Sequence, residues 1–218
     1  MTHPPDTTRR ALLGVTLAAL AGCRASPPSG PPLPAGASVL AFGDSLTFGT
    51  GADPDSAWPA RLARASGWQV TNAGRPGATT ETGRQALDGA LADTAPKAVL
   101  LGLGGNDFLR GIDPARTEAN LVDLVARCKA SGARVLLIAV PRPSVFAAAV
   151  RGLSDHPVFD AVGQRSSTPV LADAWSDVLS TPSLRADPIH ANAQGYERFT
   201  TLLLTRLGEL GWLTRRGA

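Results

Sequence analysis

The sequence predicts a single α/β domain, a three-layer α/β/α sandwich around a five-stranded parallel sheet. Three observations predict it. Five short aliphatic or β-branched runs recur along the chain, helical patterns separate them, and no second composition regime or internal repeat follows Ser38. Unbroken apolar runs of this length suit strands buried on both faces, as parallel strands are. Strand–helix alternation then brings right-handed crossovers that cover both faces of the sheet. At 218 residues, 44% hydrophobic and 18% charged, the chain has enough apolar mass for one sizeable core.

The elements follow in chain order. Arg9 and Arg10 precede "ALLGVTLAALAG", Ala11 to Gly22, an apolar stretch too short to span a bilayer and long enough for a signal-peptide core. It ends in "LAGC", Leu20 to Cys23, which resembles the bacterial lipobox, where cleavage precedes the Cys and its thiol takes up diacylglycerol. Ordinary cleavage after Ala19-Leu20-Ala21 is the competing reading; the Cys at the required place favours the lipobox. "TRRALL", Thr8 to Leu13, resembles a twin-arginine export signal, with Gly14 where a Lys is usual. The expectation is an exported bacterial lipoprotein of the cell envelope, with residues 1–22 as signal peptide and Cys23 lipidated. Several acyl chains give stable anchoring where one gives only marginal binding. Residues 23–37, rich in Pro, Ser and Gly, read as a spacer, and residues 38–218 as the folded domain.

Within that domain the expected strands are "SVLAF" (Ser38 to Phe42), "WQVTN" (Trp68 to Asn72), "KAVLLGL" (Lys97 to Leu103), "RVLLIAV" (Arg134 to Val140) and "TPVLA" (Thr168 to Ala172). Asp113-Pro114 supplies a helix N-cap and a Pro at the first helical position, and Leu121, Leu124, Val125 and Cys128 follow at helical spacing. A last helix begins near Asn192, its face made by Tyr196, Phe199 and Leu203 and continued by Leu207 and Leu210. Cys128 is the only Cys besides Cys23, so the fold must stand without an internal disulfide, and Cys128 is expected in the core.

The formal charge is +3, and removing Asp6, Arg9 and Arg10 with the leader leaves 19 basic and 17 acidic residues. With no stretch alternating Lys or Arg with aromatics, nucleic acid is excluded as a partner. No H-E-x-x-H or Cys/His cluster offers a metal site, and Gly43-Asp44-Ser45-Leu46-Thr47 lacks the final Gly of G-x-S-x-G. No cofactor is expected, and a monomer is favoured.

In an open α/β sheet, ligands sit beyond the carboxyl ends of the strands. Ser45 follows the first strand, "GRPGATT" (Gly74 to Thr80) the second and "GGND" (Gly104 to Asp107) the third; "DPIH" (Asp187 to His190) follows the fifth and precedes the last helix. Four loops that look like turn filler one by one therefore converge on one edge. A Ser hydroxyl needs a neighbouring base to become a nucleophile. Of three His residues, His3 lies in the leader, His156 reads as a surface-loop residue, and His190 lies at the ligand edge. Asp187, three residues earlier, is placed to aim a carboxylate at the imidazole. Gly77 and Asn106, with the N–H of Ser45, are the natural donors for a developing oxyanion.

The segments "FGDSLTFG", "NAGRPGATT", "LGGNDFLRG" and "DPIHANAQGY", in this order and at these intervals, make the chain similar to the SGNH/GDSL hydrolases, and among them to arylesterases of the thioesterase I–lysophospholipase type. The resemblance covers nearly all of the domain. It implies a flavodoxin-like sandwich, Ser45 as nucleophile, His190 as base, Asp187 as its orienter, and Ser45, Gly77 and Asn106 as oxyanion donors. The second-block glycine lies five residues after the block's Asn, which selects Gly77 over Gly74. Pro188 stands where a Gly is usual and Ala191 where the pattern has Pro, so small changes of loop shape are expected. Asp44 and Asp107 read as structural partners of these loops.

The expected activity is hydrolysis of short to medium acyl esters or thioesters through an acyl-enzyme, with Phe108, Leu109, Pro143 and Ile189 lining the acyl pocket. Two other readings stay open. One is a carbohydrate O-acetylesterase acting on envelope polysaccharide, which exposed aromatics in a groove favour; the other is a tethered binding lipoprotein with a decayed site.

Overall fold

The computed structural model describes Met1, residues 31–142 and residues 152–213. Five parallel strands form one sheet: β1 (Ser38–Gly43), β2 (Gln69–Gly74), β3 (Ala98–Gly102), β4 (Arg134–Ile138) and β5 (Val170–Leu171), in the order β2-β1-β3-β4-β5. Among the described residues the α-helices are α1 (Ser45–Phe48), α2 (Trp58–Ser66), α3 (Thr80–Thr94), α4 (Gly105–Leu109), α5 (Pro114–Ala130), α6 (Val158–Ser166), α7 (Ala174–Ser180) and α8 (Ala193–Glu209). The strand order reverses direction between β1 and β3, and the crevice beyond the carboxyl ends of that pair is where such sheets bind ligands.

The central strands behave as their sequences predict. Every residue of β3 is buried, as are five of the six in β1. The edges differ. β2 is an edge strand with Gln69, Thr71 and Asn72 exposed, because no strand among the described residues pairs with its outer side, and β5 shrinks to two residues. A short, polar edge resists pairing with other chains.

Capping sets the two helices read from sequence. The Asp113 side chain accepts the Ala115 N–H at 2.9 Å before Pro114, and α5 buries Leu121, Leu124, Val125 and Cys128. The Asn192 side chain accepts the Gly195 N–H at 3.0 Å, and α8 buries Tyr196, Phe199, Leu203 and Leu207. Trp175 of α7 stacks on Phe199 with centroids 3.9 Å apart and meets Tyr196 edge-on at 5.8 Å, which locks α7 to α8. Burial pushes the Cys128 thiol up to about 12, which leaves it an inert core group.

The expected spacer is shorter than its composition suggests. Within residues 31–37, Leu33 and Ala37 are buried, the Leu33 N–H donates to the Trp212 carbonyl at 2.8 Å, and Trp68 Nε1 donates to the Leu33 carbonyl. A single Leu, with one backbone and one indole partner, fastens this stretch to the domain despite the surrounding prolines.

Candidate active site

The chain leaves β1 through Asp44, whose carboxylate accepts the Leu46 N–H at 3.0 Å and so starts the four-residue helix α1. Ser45 is the first helical residue, where a backbone N–H has no intrahelical acceptor. Gly49, at φ 102°, ends the turn at once. Trp58 Nε1 donates to the Leu46 carbonyl at 3.1 Å, and the Tyr196 hydroxyl donates to the Thr50 carbonyl at 2.8 Å. Buried aromatics from α2 and α8 therefore hold the Ser45 turn in place.

His190 arrives from the other end of the sequence. Its Nε2 lies 3.0 Å from Ser45 Oγ, and its Nδ1 lies 2.7 Å from Asp187 Oδ2. The other carboxylate oxygen, Asp187 Oδ1, accepts the Ile189 N–H at 2.9 Å and the His190 N–H at 2.8 Å. The Ala186 N–H donates to the His190 carbonyl, and Arg185 bridges Ala191, closing the segment into a tight loop. Partial desolvation pushes the Asp187 carboxyl up. The hydrogen bonds from His190 and from the two backbone N–H groups outweigh it and leave the group below its ordinary value. An ionised Asp187 keeps the ring proton on Nδ1, so the Nε2 lone pair faces the Ser45 hydroxyl. The loop does not follow β5 directly as the sequence suggested: α7 and the short turn Pro182–Leu184 intervene and return the chain to the site.

The other two loops complete the cluster. Gly77 sits at φ 79°, in the left-handed region that favours glycine, and no protein acceptor among the described residues takes the N–H of Gly77 or of Ser45. Asn106, in α4, donates through Nδ2 to the Ala78 carbonyl at 3.0 Å and lies 3.4 Å from Asp44 Oδ2. Gly104 precedes α4 at φ 120°, and a Cβ there would lie 3.2 Å from the Phe159 ring. Asp107 is fully buried and accepts the Thr80 N–H at 2.9 Å, the Thr80 hydroxyl, and the Thr117 hydroxyl at 3.4 Å. It ties α3, α4 and α5 together beneath the site.

Asp44 is as buried as Asp107 but receives fewer close donors. Desolvation is the largest effect on it and pushes its carboxyl up to about 6, against partial relief from the Leu46 N–H and from His190. The folded chain thus binds a proton at Asp44 more readily than the unfolded chain does. The stability linked to it is present below the unfolded value and is lost as pH rises through about 6. Asp44→Asn, which keeps an oxygen for Leu46, is expected to unfold at a higher denaturant midpoint than the parent at pH 8. The difference is at most on the order of 3 kcal/mol, reduced by the facing of the new NH₂ and Asn106 Nδ2, and it shrinks as pH falls toward 4.

The four residues expected to line the acyl pocket fall in different settings. The half-buried Phe108 ring is stacked on His156 at 3.9 Å and meets Phe159 edge-on at 6.2 Å. His156 is accordingly half-buried rather than a free surface residue. Its Nδ1 accepts the Val158 N–H, and burial, with Arg142 nearby, holds it below the usual imidazole range. Pro143 lies outside the described residues. Leu109 and Ile189 are 50% and 45% exposed beside the cluster, and Phe48, which the sequence reading passed over, is 51% exposed at the end of α1. Also unforeseen is Arg110, whose Nη2 donates to the Gly77 carbonyl at 2.9 Å and pins that loop; a lone Arg in "FLRG" carries no signal for it. Among the described residues no group of three or more His, Cys, Asp or Glu is placed to hold a metal ion. A groove of about 320 Å³ between α2 and α8, lined by Arg61 and Glu197, contains none of the clustered residues.

Residues 41–198 match the model of the GDSL-like lipase/acylhydrolase family. The chain is 32% identical to thioesterase 1/protease 1/lysophospholipase L1 of Escherichia coli over 71% of its own length and 76% of that protein. It is 35% identical to esterase TesA of Pseudomonas aeruginosa over 49% of its length, and that alignment spans about half (55%) of the relative. Among solved structures, a crystal structure of TesA superposes with a TM-score of 0.69 at 30% identity, covering 79% of this chain and 98% of that one. The esterase EstA of a Pseudoalteromonas species, 23% identical with a TM-score of 0.68, shares the fold.

Proposed function

The chain belongs to the GDSL-like lipase/acylhydrolase family, and from that premise we propose that it is a serine esterase hydrolysing short to medium acyl esters or thioesters through an acyl-enzyme on Ser45. The observation that carries this reading is the unbroken relay from Asp187 through His190 to Ser45, at 2.7 and 3.0 Å. His190 Nε2 takes the hydroxyl proton as Ser45 Oγ bonds to the acyl carbon. The carbonyl oxygen gains a negative charge, which the N–H groups of Ser45 and Gly77 and the Asn106 amide receive. The bond to the leaving alcohol or thiol then breaks as His190 returns the proton to it. Water repeats the sequence, releasing the carboxylic acid and the free Ser45. The names of the relatives, esterase and thioesterase 1/lysophospholipase L1, favour the same chemistry.

The test is a panel of p-nitrophenyl esters and acyl thioesters of graded chain length, run beside labelling with a fluorophosphonate. Turnover with label on Ser45 is the expected outcome; a protein that neither labels nor hydrolyses any of them overturns the reading. Phe48, Leu109 and Ile189 are exposed apolar side chains on the segments that carry the cluster, which supports a role for them in meeting the acyl chain. Leu109→Asp is expected to shift preference toward shorter acyl groups by at least about tenfold in kcat/KM, since burying a few methylenes is worth roughly 0.8 kcal/mol each. An unchanged chain-length profile removes Leu109 from that role. All four tryptophans are buried, which leaves the polysaccharide alternative without an exposed indole platform.

We also propose that the chain is exported and anchored through a lipid on Cys23. The support is the sequence pattern of residues 8–23, which lies outside the described residues. Cells fed labelled palmitate are expected to incorporate it into this protein, and Cys23→Ser to abolish the incorporation; label retained in the variant rejects the anchor.

A further inference from the structure

Asp44 is a buried carboxylate at the site that the proposed reaction leaves without a task. It is 2% exposed, and its two oxygens have different duties: Oδ1 accepts the Leu46 N–H at 3.0 Å, while Oδ2 faces Asn106 Nδ2 at 3.4 Å. The Asn106 amide has two hydrogens. One is committed to the Ala78 carbonyl at 3.0 Å, which fixes the plane of the amide. The other is drawn toward Asp44 by charge but held only at long range, so it stays free to be taken by a stronger acceptor.

From this geometry we propose that Asp44 is a positioning residue for Asn106, its carboxylate holding the second Nδ2 hydrogen of that amide toward the Ser45 turn until the acyl oxygen takes it over. The inference rests on the esterase reading above. It adds that one aspartate couples the nucleophile turn to the oxyanion donor, since the same carboxylate caps α1 and faces α4. Asp107 makes the contrast. Its oxygens are occupied by Thr80 and Thr117, and it has no comparable hold on Asn106.

The amide of an asparagine at position 44 cannot do the same. One of its atoms must accept from Leu46, which commits its oxygen and turns its NH₂ against Asn106 Nδ2, donor against donor. The charged and titratable groups that act on Asp44 are His190 from the loop before α8, Asp107 from α4 and Tyr196 from α8. Burial brings the protonation of Asp44 to about pH 6, so its hold on Asn106 is expected to weaken as pH falls through that value.

The experiment compares the full chain with Asp44→Asn, Asn106→Ala and the double variant, using p-nitrophenyl acetate. Losing an oxyanion donor lowers kcat by roughly 10²–10³-fold. Asp44→Asn is expected to lower kcat by about ten- to a hundredfold with KM little changed, without lowering Tm at pH 8. In the Asn106→Ala background it is expected to cost almost nothing further. Multiplicative losses in the double variant, or a kcat loss that tracks a fall in Tm, overturn the proposal. A second readout needs no turnover: the side-chain ¹H–¹⁵N pair of Asn106 is expected to titrate with a midpoint near pH 6 in the parent and not in Asp44→Asn. If that titration is present in a protein that hydrolyses no ester, the esterase reading fails and the coupling stands. If it is absent from an active enzyme, the coupling fails alone.

Discussion

Ser45→Ala is expected to reduce hydrolysis of p-nitrophenyl butyrate by about 10⁶-fold in kcat, the scale seen when the nucleophile of a serine triad is removed. The methyl group keeps the first position of α1 and leaves the Asp44 cap on Leu46 untouched, so the fold should be unaffected. What disappears is the Ser45 oxygen that lies 3.0 Å from His190 Nε2. The oxyanion donors remain, and a residual rate above that of water is expected from them alone. Fluorophosphonate labelling should vanish with the activity. Variant and parent turning over at comparable rates would remove Ser45 from the mechanism.

Asp187→Asn is expected to lower kcat by roughly 10⁴-fold while leaving the backbone in place. The reason lies in the two oxygens. Asp187 Oδ1 is held by the N–H groups of Ile189 and His190, at 2.9 and 2.8 Å, and an asparagine will keep its carbonyl oxygen there. Its NH₂ must then face His190 Nδ1, which becomes an acceptor and moves the ring proton to Nε2. The imidazole would donate to Ser45 instead of receiving from it. Because Ser45 and Asp187 act through the same proton, the double variant should be hardly slower than Ser45→Ala alone. A modest loss in Asp187→Asn, within about tenfold, would mean that the imidazole is oriented by something else.

Much of this was legible in the chain because the chemistry sits on short, local patterns. Ser45 follows the end of a strand by two residues, Asp187 and His190 lie within four residues of each other, and a parallel sheet delivers every strand-to-helix loop to one edge. The N-caps of α5 and α8 were equally local, each set by a single side chain next to its own helix. What escaped depends on partners far apart in sequence. Arg110 matters because its guanidinium donates to the Gly77 carbonyl, and Phe108 packs on His156 and Phe159, each about fifty residues away in sequence. Leu33 joins the core only because Trp68 and Trp212 are there to receive it. Composition cannot distinguish a proline-rich tether from a proline-rich strap when one leucine decides the matter.

The four enclosed indoles give the molecule a built-in optical property. Shielded from water, they should emit toward the blue, and the emission should move to the red only as the body of the domain comes apart. Ester entering at the strand ends should leave the spectrum almost still. Trp58 is the one reporter wired to the chemistry, its ring nitrogen resting on the carbonyl next to Ser45. Its quenching alone would register a disturbance of that serine's turn before the rest of the protein had changed.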